Sequence, residues 1–268
     1  MVRGLKLKKN RDEAGLFVAE GHKCIEELER YFEPVLKVFK NEDLRLKNEE
    51  GKCVWASDTE IEQMSGMKTP QGEIGVFRKH SIEDLRFLAS EKHDLKVWKN
   101  DDLVLVLDGV QDPGNLGTII RTCDWFGVKH IVCSPDTADC YNPKVVQATM
   151  GSLGRVEVHY TNLVDWIEDL RLKIEDLRLK NEDLRIIGTV LDGDELRVKS
   201  EELRVKCGET CLVVMGSEGN GISPEVRALL TDAVRIPTYP ANKKASDVVE
   251  SLNVSIATGI ILSHLRQG

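Results

Sequence analysis

The sequence contains no apolar run long enough to cross a bilayer, so no membrane partner is expected. Its opening stretch, "MVRGLKLKKNRDEAG", lacks the apolar segment of a secretory signal. None of its seven cysteines form a Cys-x-x-Cys pair. Cys207 and Cys211 flank a turn-like Gly208-Glu209 with no histidine cluster beside them, so no zinc site or other metal centre is expected. An odd set of thiols without metal spacing reads as buried, reduced cysteine in a cytoplasmic protein. The dinucleotide fingerprint G-x-G-x-x-G follows the first strand of neither half, which argues against a nicotinamide-dependent oxidoreductase. Net positive charge is also missing. The formal charge is -8 and the pI about 5.4, which counts against gripping nucleic acid over the whole surface. One local basic patch exists, "LKLKKNR", with Lys6, Lys8, Lys9 and Arg11. On charge alone it reads as a solvated terminal tail.

What remains is an ordinary soluble composition, 268 residues at 41% hydrophobic and 31% charged. That is enough for one large domain or two ordinary ones. Residues 1–98 read as a mixed α/β unit. A short strand at 16–19 runs into a helix from His22 to about Phe32. Strands follow in "EPVLKVFK", "KCVWAS" and "QGEIGVFRK", with a short helix in "DTEIEQMSG". In residues 99–268, apolar strands alternate with helices, as in a parallel sheet. The strands are expected at 103–107, 130–133, 156–159, 186–190, 212–215 and 233–236. Helices are expected to begin near Leu116, Asn142-Pro143, Leu163, Ser223-Pro224 and Ser251.

A repeat-rich segment, about 168–206, looks inserted. "IEDLRLKIEDLRLKNEDLRI" repeats every seven residues through Asp169, Asp176 and Asp183, and through Leu170, Leu177 and Leu184. Leu170, Ile174, Leu177 and Leu184 follow helical a/d spacing. Too few heptads are present for a stable coiled coil, so the segment is expected to lengthen a surface helix without chemistry of its own.

Three stretches carry candidate chemistry. "DGVQDPGNLGTIIRTCDWFGV" leaves a strand at Asp108-Gly109 and enters a helix, with Asn115 near its start and Arg121 inside it. Ile119, Ile120, Cys123 and Phe126 suggest a largely buried helix, where an arginine needs a partner or a ligand. "VVMGSEGNGIS" is a strand, a glycine loop holding Glu218, and a helix start at Ser223-Pro224. It has the layout of a nucleotide loop but not its spacing. In "RIPTYPANKKASDVVESLNVSIATGIILSHLRQ", Ser251 reads as a helix N-cap and Asn253 lies in the first turn. Singly, each of these is a turn or a cap.

In this order, the three stretches resemble the SpoU/TrmH family of RNA 2′-O-ribose methyltransferases, of the SPOUT class. Asn115, Gly117 and Arg121 match its first motif. Residues 216–223 match its second, and Ile236, Pro237 and residues 251–255 its third. "RDEAGLFVAEGHKCIEEL" and "MKTPQGEIGV" resemble its accessory RNA-binding domain, similar to the ribosomal protein L30e fold. The resemblance implies an α/β SPOUT domain over residues 99–268 with a C-terminal trefoil knot, and a smaller substrate-binding domain over 1–98. It implies S-adenosylmethionine as methyl donor, held mainly by main chain at Met215, Gly216, Gly219, Ile236 and Leu252, with Asn253. No metal is required. Arg121, Asn115, Glu218, Ser251 and Asn253 are the implied catalytic group, with Glu218 holding Asn115 or the Arg121 region. Lys8, Lys9 and Arg11 are candidate RNA contacts. A homodimer with its active site at the subunit interface is implied, acting on RNA, with ribosomal RNA favoured over tRNA. A tRNA methyltransferase and a non-catalytic RNA-binding or ribosome-assembly protein are the alternatives. The family usually has I-P-M-x-G ahead of its last motif. Here Thr238 stands in the methionine's place and the loop over 238–250 is extended.

Overall fold

A computed structural model of the chain describes residues 1–40, 52–80, 103–176, 184–195, 210–238 and 251–266. The first unit is a four-stranded sheet, ordered β1-β4-β2-β3 from β1 (Leu16–Glu20), β2 (Pro34–Phe39), β3 (Cys53–Trp55) and β4 (Glu73–Arg78). β4 is antiparallel to both its neighbours, and β2 and β3 run parallel. Helices α1 (Lys8–Ala14), α2 (His22–Leu28) and α3 (Asp58–Met64) surround it. Ser57 and Glu60 form a reciprocal capping box that fixes the start of α3.

The second unit is a six-stranded sheet, parallel at every pairing. Its strands are β5 (Leu103–Asp108), β6 (His130–Cys133), β7 (Glu157–Tyr160), β8 (Leu184–Glu195), β9 (Thr210–Gly216) and β10 (Asp232–Arg235). They lie in the order β10-β8-β9-β5-β6-β7. β5 is apolar throughout because both its faces are covered. Leu103, Leu105 and Leu107 enter one core, and Val104 and Val106 enter the core on the opposite face. Among the described residues, five α-helices belong to this unit: α4 (Pro113–Trp125), α5 (Pro143–Thr149), α6 (Leu163–Asp176), α7 (Pro224–Arg227) and α8 (Val254–Arg266). Among the described residues, no helix is long and apolar enough to cross a membrane.

The sheet follows the expected strands closely, and Asn142 caps α5 as expected, its side chain accepting from Lys144 N. Three local expectations fail. The last helix begins at Val254, not Ser251. The amino-terminal patch is not a loose tail: residues 2–6 form a 3-10 helix with Val2 and Leu5 buried. The inserted repeat divides. Its first copy lies in α6, where Leu170 and Ile174 are buried against the sheet, while Leu184 and Arg185 of the third copy pair with Thr210 and Cys211 in β8. Strand pairing therefore wins over helical periodicity at Leu184. The residues between, 177–183, lie outside the described set, as do the boundary expected at 98/99 and residues 239–250 of the loop expected to be extended.

The two units share one core. Phe17 of β1 lies 4.9 Å from Tyr141, ring to ring, and joins the cluster that contains Leu105 and Ile120. Arg11 pins the junction. It is buried, donates to Asp139 at 2.6 Å, and its Nη1 donates to the carbonyls of Leu5 and Lys6. Cys24, Cys123, Cys133, Cys140 and Cys211 are buried free thiols, and Cys53 is half-buried. Burial pushes the Cys24 thiol up to about 11, so it stays protonated and inert at neutral pH. Cys207 lies outside the described residues.

Candidate active site

β5 and β9 are the central pair of the large sheet, where connections leave in opposite directions. The crevice above their carboxyl ends is where open α/β sheets bind ligands. β5 ends at Asp108. Gly109 follows at φ +71°, and its N–H donates to Ser134 Oγ at 2.8 Å. A side chain at Gly109 would be strained by that φ and would place its Cβ 3.2 Å from the Asp136 carboxylate. Asp112 then caps α4, accepting from Asn115 N at 2.9 Å, with Pro113 in the first helical position. Asn115 is therefore not the cap, and its amide is left to point into the crevice.

β9 ends at Gly216, packed so tightly that an added Cβ would lie 2.1 Å from the Gly221 carbonyl carbon. Ser217 and Gly221 close the following loop by exchanging both N–H···O bonds at 3.0 Å. Glu218, Gly219 and Asn220 form its exposed tip. Asp108 Oδ2 accepts from Ser223 N at 2.7 Å, tying the end of β5 to the start of α7.

The third stretch reaches the same point. Asn253 Oδ1 caps α8, accepting from Ser255 N at 3.0 Å, so Asn253 rather than Ser251 takes the capping role. Its Nδ2 donates to Glu218 Oε1 and to Asn115 Oδ1, each at 2.8 Å. Asn115 Nδ2 donates to the same Glu218 oxygen at 2.9 Å. Three residues from three distant stretches thus form a closed triangle of hydrogen bonds. It borders a polar cleft of about 330 Å³ whose lining includes Asp108, Asp112, Asn115, Asp136, Glu218 and Val254.

Other candidates lie around this triangle or away from it. Met215 is buried at the end of β9, and Gly219 is open at the loop tip. Ile236 packs partly buried on the main core just past β10. Ser251 and Leu252 are exposed ahead of α8. Arg121 corrects the expectation of a buried arginine. It is exposed and makes no hydrogen bond or ion pair among the described residues, and Glu218 meets Asn115 instead. Thr118, Arg121 and Trp125 form the outer stripe of α4, opposite the buried Ile119, Ile120 and Cys123. Lys8 and Lys9 are exposed on α1, whereas Arg11 is consumed by Asp139 and two carbonyls and has no place as an RNA contact. The sequence reading missed Asp112 and Asp136. Asp112-Pro113 carried the cap signature; Asp136 carried no local signal.

A parallel sheet with a polar cleft over its central strand ends defines an α/β enzyme with a small-ligand site at the switch point. Its family is narrower. Residues 102–263 match the SpoU rRNA Methylase family, and the chain belongs to it. Residues 1–75 match the MRM3-like substrate binding domain. The chain is 28% identical over 265 residues to the 23S rRNA (guanosine(2553)-2'-O)-methyltransferase RlmP of Bacillus subtilis, covering 98% of this chain and 93% of that protein. A TrmH-family protein from Porphyromonas gingivalis superposes with a TM-score of 0.77 at 34% identity, over 99% of this chain and 95% of that one. An AdoMet-bound rRNA methyltransferase from Sinorhizobium meliloti superposes with a TM-score of 0.75 at 27% identity, over 99% and 92%.

Proposed function

We infer that the chain transfers a methyl group from S-adenosylmethionine to a ribose 2′-hydroxyl of RNA, and that ribosomal RNA is its substrate. The observation that carries this reading is the Asn115–Glu218–Asn253 triangle, which joins the three family motifs at one cleft. The full-length similarity to a 23S rRNA methyltransferase supports ribosomal RNA over tRNA.

The residues fit the donor. The Gly216–Gly221 contact admits no side chain, and Gly219 leaves main chain open at the loop tip. Met215, Gly216, Gly219, Ile236, Leu252 and Asn253 hold it, largely through backbone groups. When bound, it supplies an electrophilic methyl whose sulfonium charge is lost on transfer, so the step needs no metal. The chain's own task is to orient the hydroxyl and assist loss of its proton. Glu218 and Asn253 fix the cleft wall, and Asn115 faces the acceptor ribose. Ser251 assists at the hydroxyl. Arg121 clamps phosphate or orients the hydroxyl; a guanidinium holds its proton too firmly to be a good base.

The enzyme acts as a homodimer. Trp125 on α4 is 85% exposed, and Leu252, Ile256 and Ile260 at α8 are 47%, 57% and 38% exposed. The helices touch at Thr122 and Gly259, which makes these residues one apolar face. Pairing through it buries that face and turns the Arg121 stripe toward the site. Residues 1–98 form the RNA-binding domain, with Lys8 and Lys9 on the backbone, and 99–268 the methyltransferase domain, in the cytoplasm.

The test is methyl transfer to ribosomal RNA from a strain lacking the protein, with calorimetry of donor binding. Arg121→Ala is expected to abolish transfer while donor binding survives. Normal turnover by that variant would overturn the role of Arg121, and failure of the wild type to bind S-adenosylmethionine would overturn the whole reading.

A further inference from the structure

A second cluster of chemically capable side chains lies at the other end of the large sheet. "EVH" at 157–159 places Glu157 and His159 on one face of β7, because side chains alternate along a strand. The parallel register sets His130 of β6 beside Glu157, and Val132 beside His159. All four share the face covered by Leu163 and Ile167 of α6. Glu157 Oε2 lies 3.5 Å from His130 Nδ1 and 3.6 Å from His159 Nε2. The three ligand atoms all fall within 4.8 Å of one another.

The two separations from Glu157 are within ion-pair reach and are also close to those around one metal ion. Zinc bonds of about 2.0–2.1 Å at tetrahedral angles hold two ligand atoms roughly 3.3–3.4 Å apart. A good N–H···O hydrogen bond spans about 2.7–3.2 Å. The carboxylate sits between the two imidazoles, as the shared member of such a set. The His159 side chain is fully buried and His130 nearly so, while Glu157 is half exposed. The site is therefore walled on its protein side and open to water on the other. That openness supplies an entry path and a fourth ligand.

We propose that His130, Glu157 and His159 bind a zinc ion, with water completing a tetrahedral site. Two imidazoles and one carboxylate are a borderline donor set, which selects Zn²⁺ over Mg²⁺ or Ca²⁺. His130 and Glu157 open β6 and β7 and His159 is the third residue of β7, all at the edge of the sheet, whereas the candidate active site lies over the carboxyl ends of the central strands β5 and β9. The ion therefore clamps the edge strand β7 to β6 and takes no part in methyl transfer. The sequence reading expected no metal because it looked for cysteine spacing. These ligands come together only through strand register.

The test uses the full chain, stripped by chelation and titrated with Zn²⁺ and, as a spectroscopic stand-in, Co²⁺. One ion per chain is expected, with visible bands of tetrahedral cobalt and no thiolate charge-transfer band. Zinc is expected to raise the thermal midpoint of the wild type. Glu157→Gln alters a half-exposed side chain, and His130→Ala truncates a nearly buried one at the start of β6. Each is expected to weaken binding by more than about a hundredfold, since even outer-shell changes cost about 10–100-fold. Each should also remove the thermal shift. The chelated wild type should keep its methyl transfer, which separates this proposal from the enzymatic one. Absence of binding by the wild type, unchanged affinity in both variants, or a cobalt–thiolate band would each overturn it.

Discussion

Glu218 is the vertex of the candidate site, and removing it gives a quantitative test of the triangle. One oxygen, Oε1, accepts from Asn115 Nδ2 at 2.9 Å, Asn253 Nδ2 at 2.8 Å and Val254 N at 3.3 Å. A hydrogen bond to a charged group contributes about 1.5–3 kcal/mol when buried. These groups are partly solvated, so about 0.5–1 kcal/mol each is appropriate. Glu218→Ala is then expected to cost about 2 kcal/mol. Asn253→Ala loses the same link and also the cap of α8, worth about 1 kcal/mol, for a similar total. The double variant removes the shared link only once. It should fall short of the sum of the singles by about 1 kcal/mol, within the roughly 0.5–3 kcal/mol typical of contacting pairs. Denaturant unfolding of the wild type, the two singles and the double supplies the four free energies. Each single should lower the thermal midpoint by about 4–8 °C. Additivity within about 0.3–0.5 kcal/mol would refute the reasoning, because independent sites add and joined ones do not.

Four other outcomes are expected. Arg11→Ala strands Asp139 at the unit junction and should cost about 3–5 kcal/mol in unfolding experiments. Lys8→Ala and Lys9→Ala should leave stability unchanged but lower RNA affinity, with the salt slope falling by about one per contact. A wild-type midpoint for Arg11→Ala would remove its structural role. Gly216→Ala drives a Cβ into the Gly221 backbone at 2.1 Å. It should abolish donor binding measured by calorimetry while far-UV circular dichroism stays native; wild-type binding would show that the loop has room. The Arg185 guanidinium, and then the Thr231 hydroxyl, hold the Asp232 carboxyl below its ordinary range. A folded pKa below the unfolded value of about 3.9 stabilises above that value, and the benefit is lost as pH falls through the folded pKa. Wild type and Asp232→Asn should therefore differ in midpoint at neutral pH and converge in acid. A constant difference across that range would assign the contribution to something other than this titration.

The sheet was legible because its strands are continuous apolar runs, a pattern produced by burial on both faces. The residues of the triangle were legible because each ends or follows a strand in an ordered set of motifs. Their partners were not. Asn115 and Ser251 both look like caps, but Asp112 and Asn253 do the capping, since a cap is chosen by backbone angles that neighbouring polar residues do not reveal. Arg121 was placed in a buried helix by counting its apolar neighbours. The phase decides instead: Thr118 and Trp125, three residues before and four after, share its exposed stripe. Arg11 looked solvated because its partner, Asp139, lies 128 residues away in the chain. The repeat misled at Leu184, where a seven-residue period continued in sequence after the chain had begun a strand.

The triangle also fixes an order of events during synthesis. Asn115 and Asn253 are 138 residues apart, and the link between them needs the last described helix to be started. The first unit and the strands β5 to β7 can form as they emerge, since domains generally fold as units during synthesis. The wall of the candidate site cannot. Glu218 waits for Asn253, so the triangle closes well after the first unit has formed. It closes when α8 docks on α4.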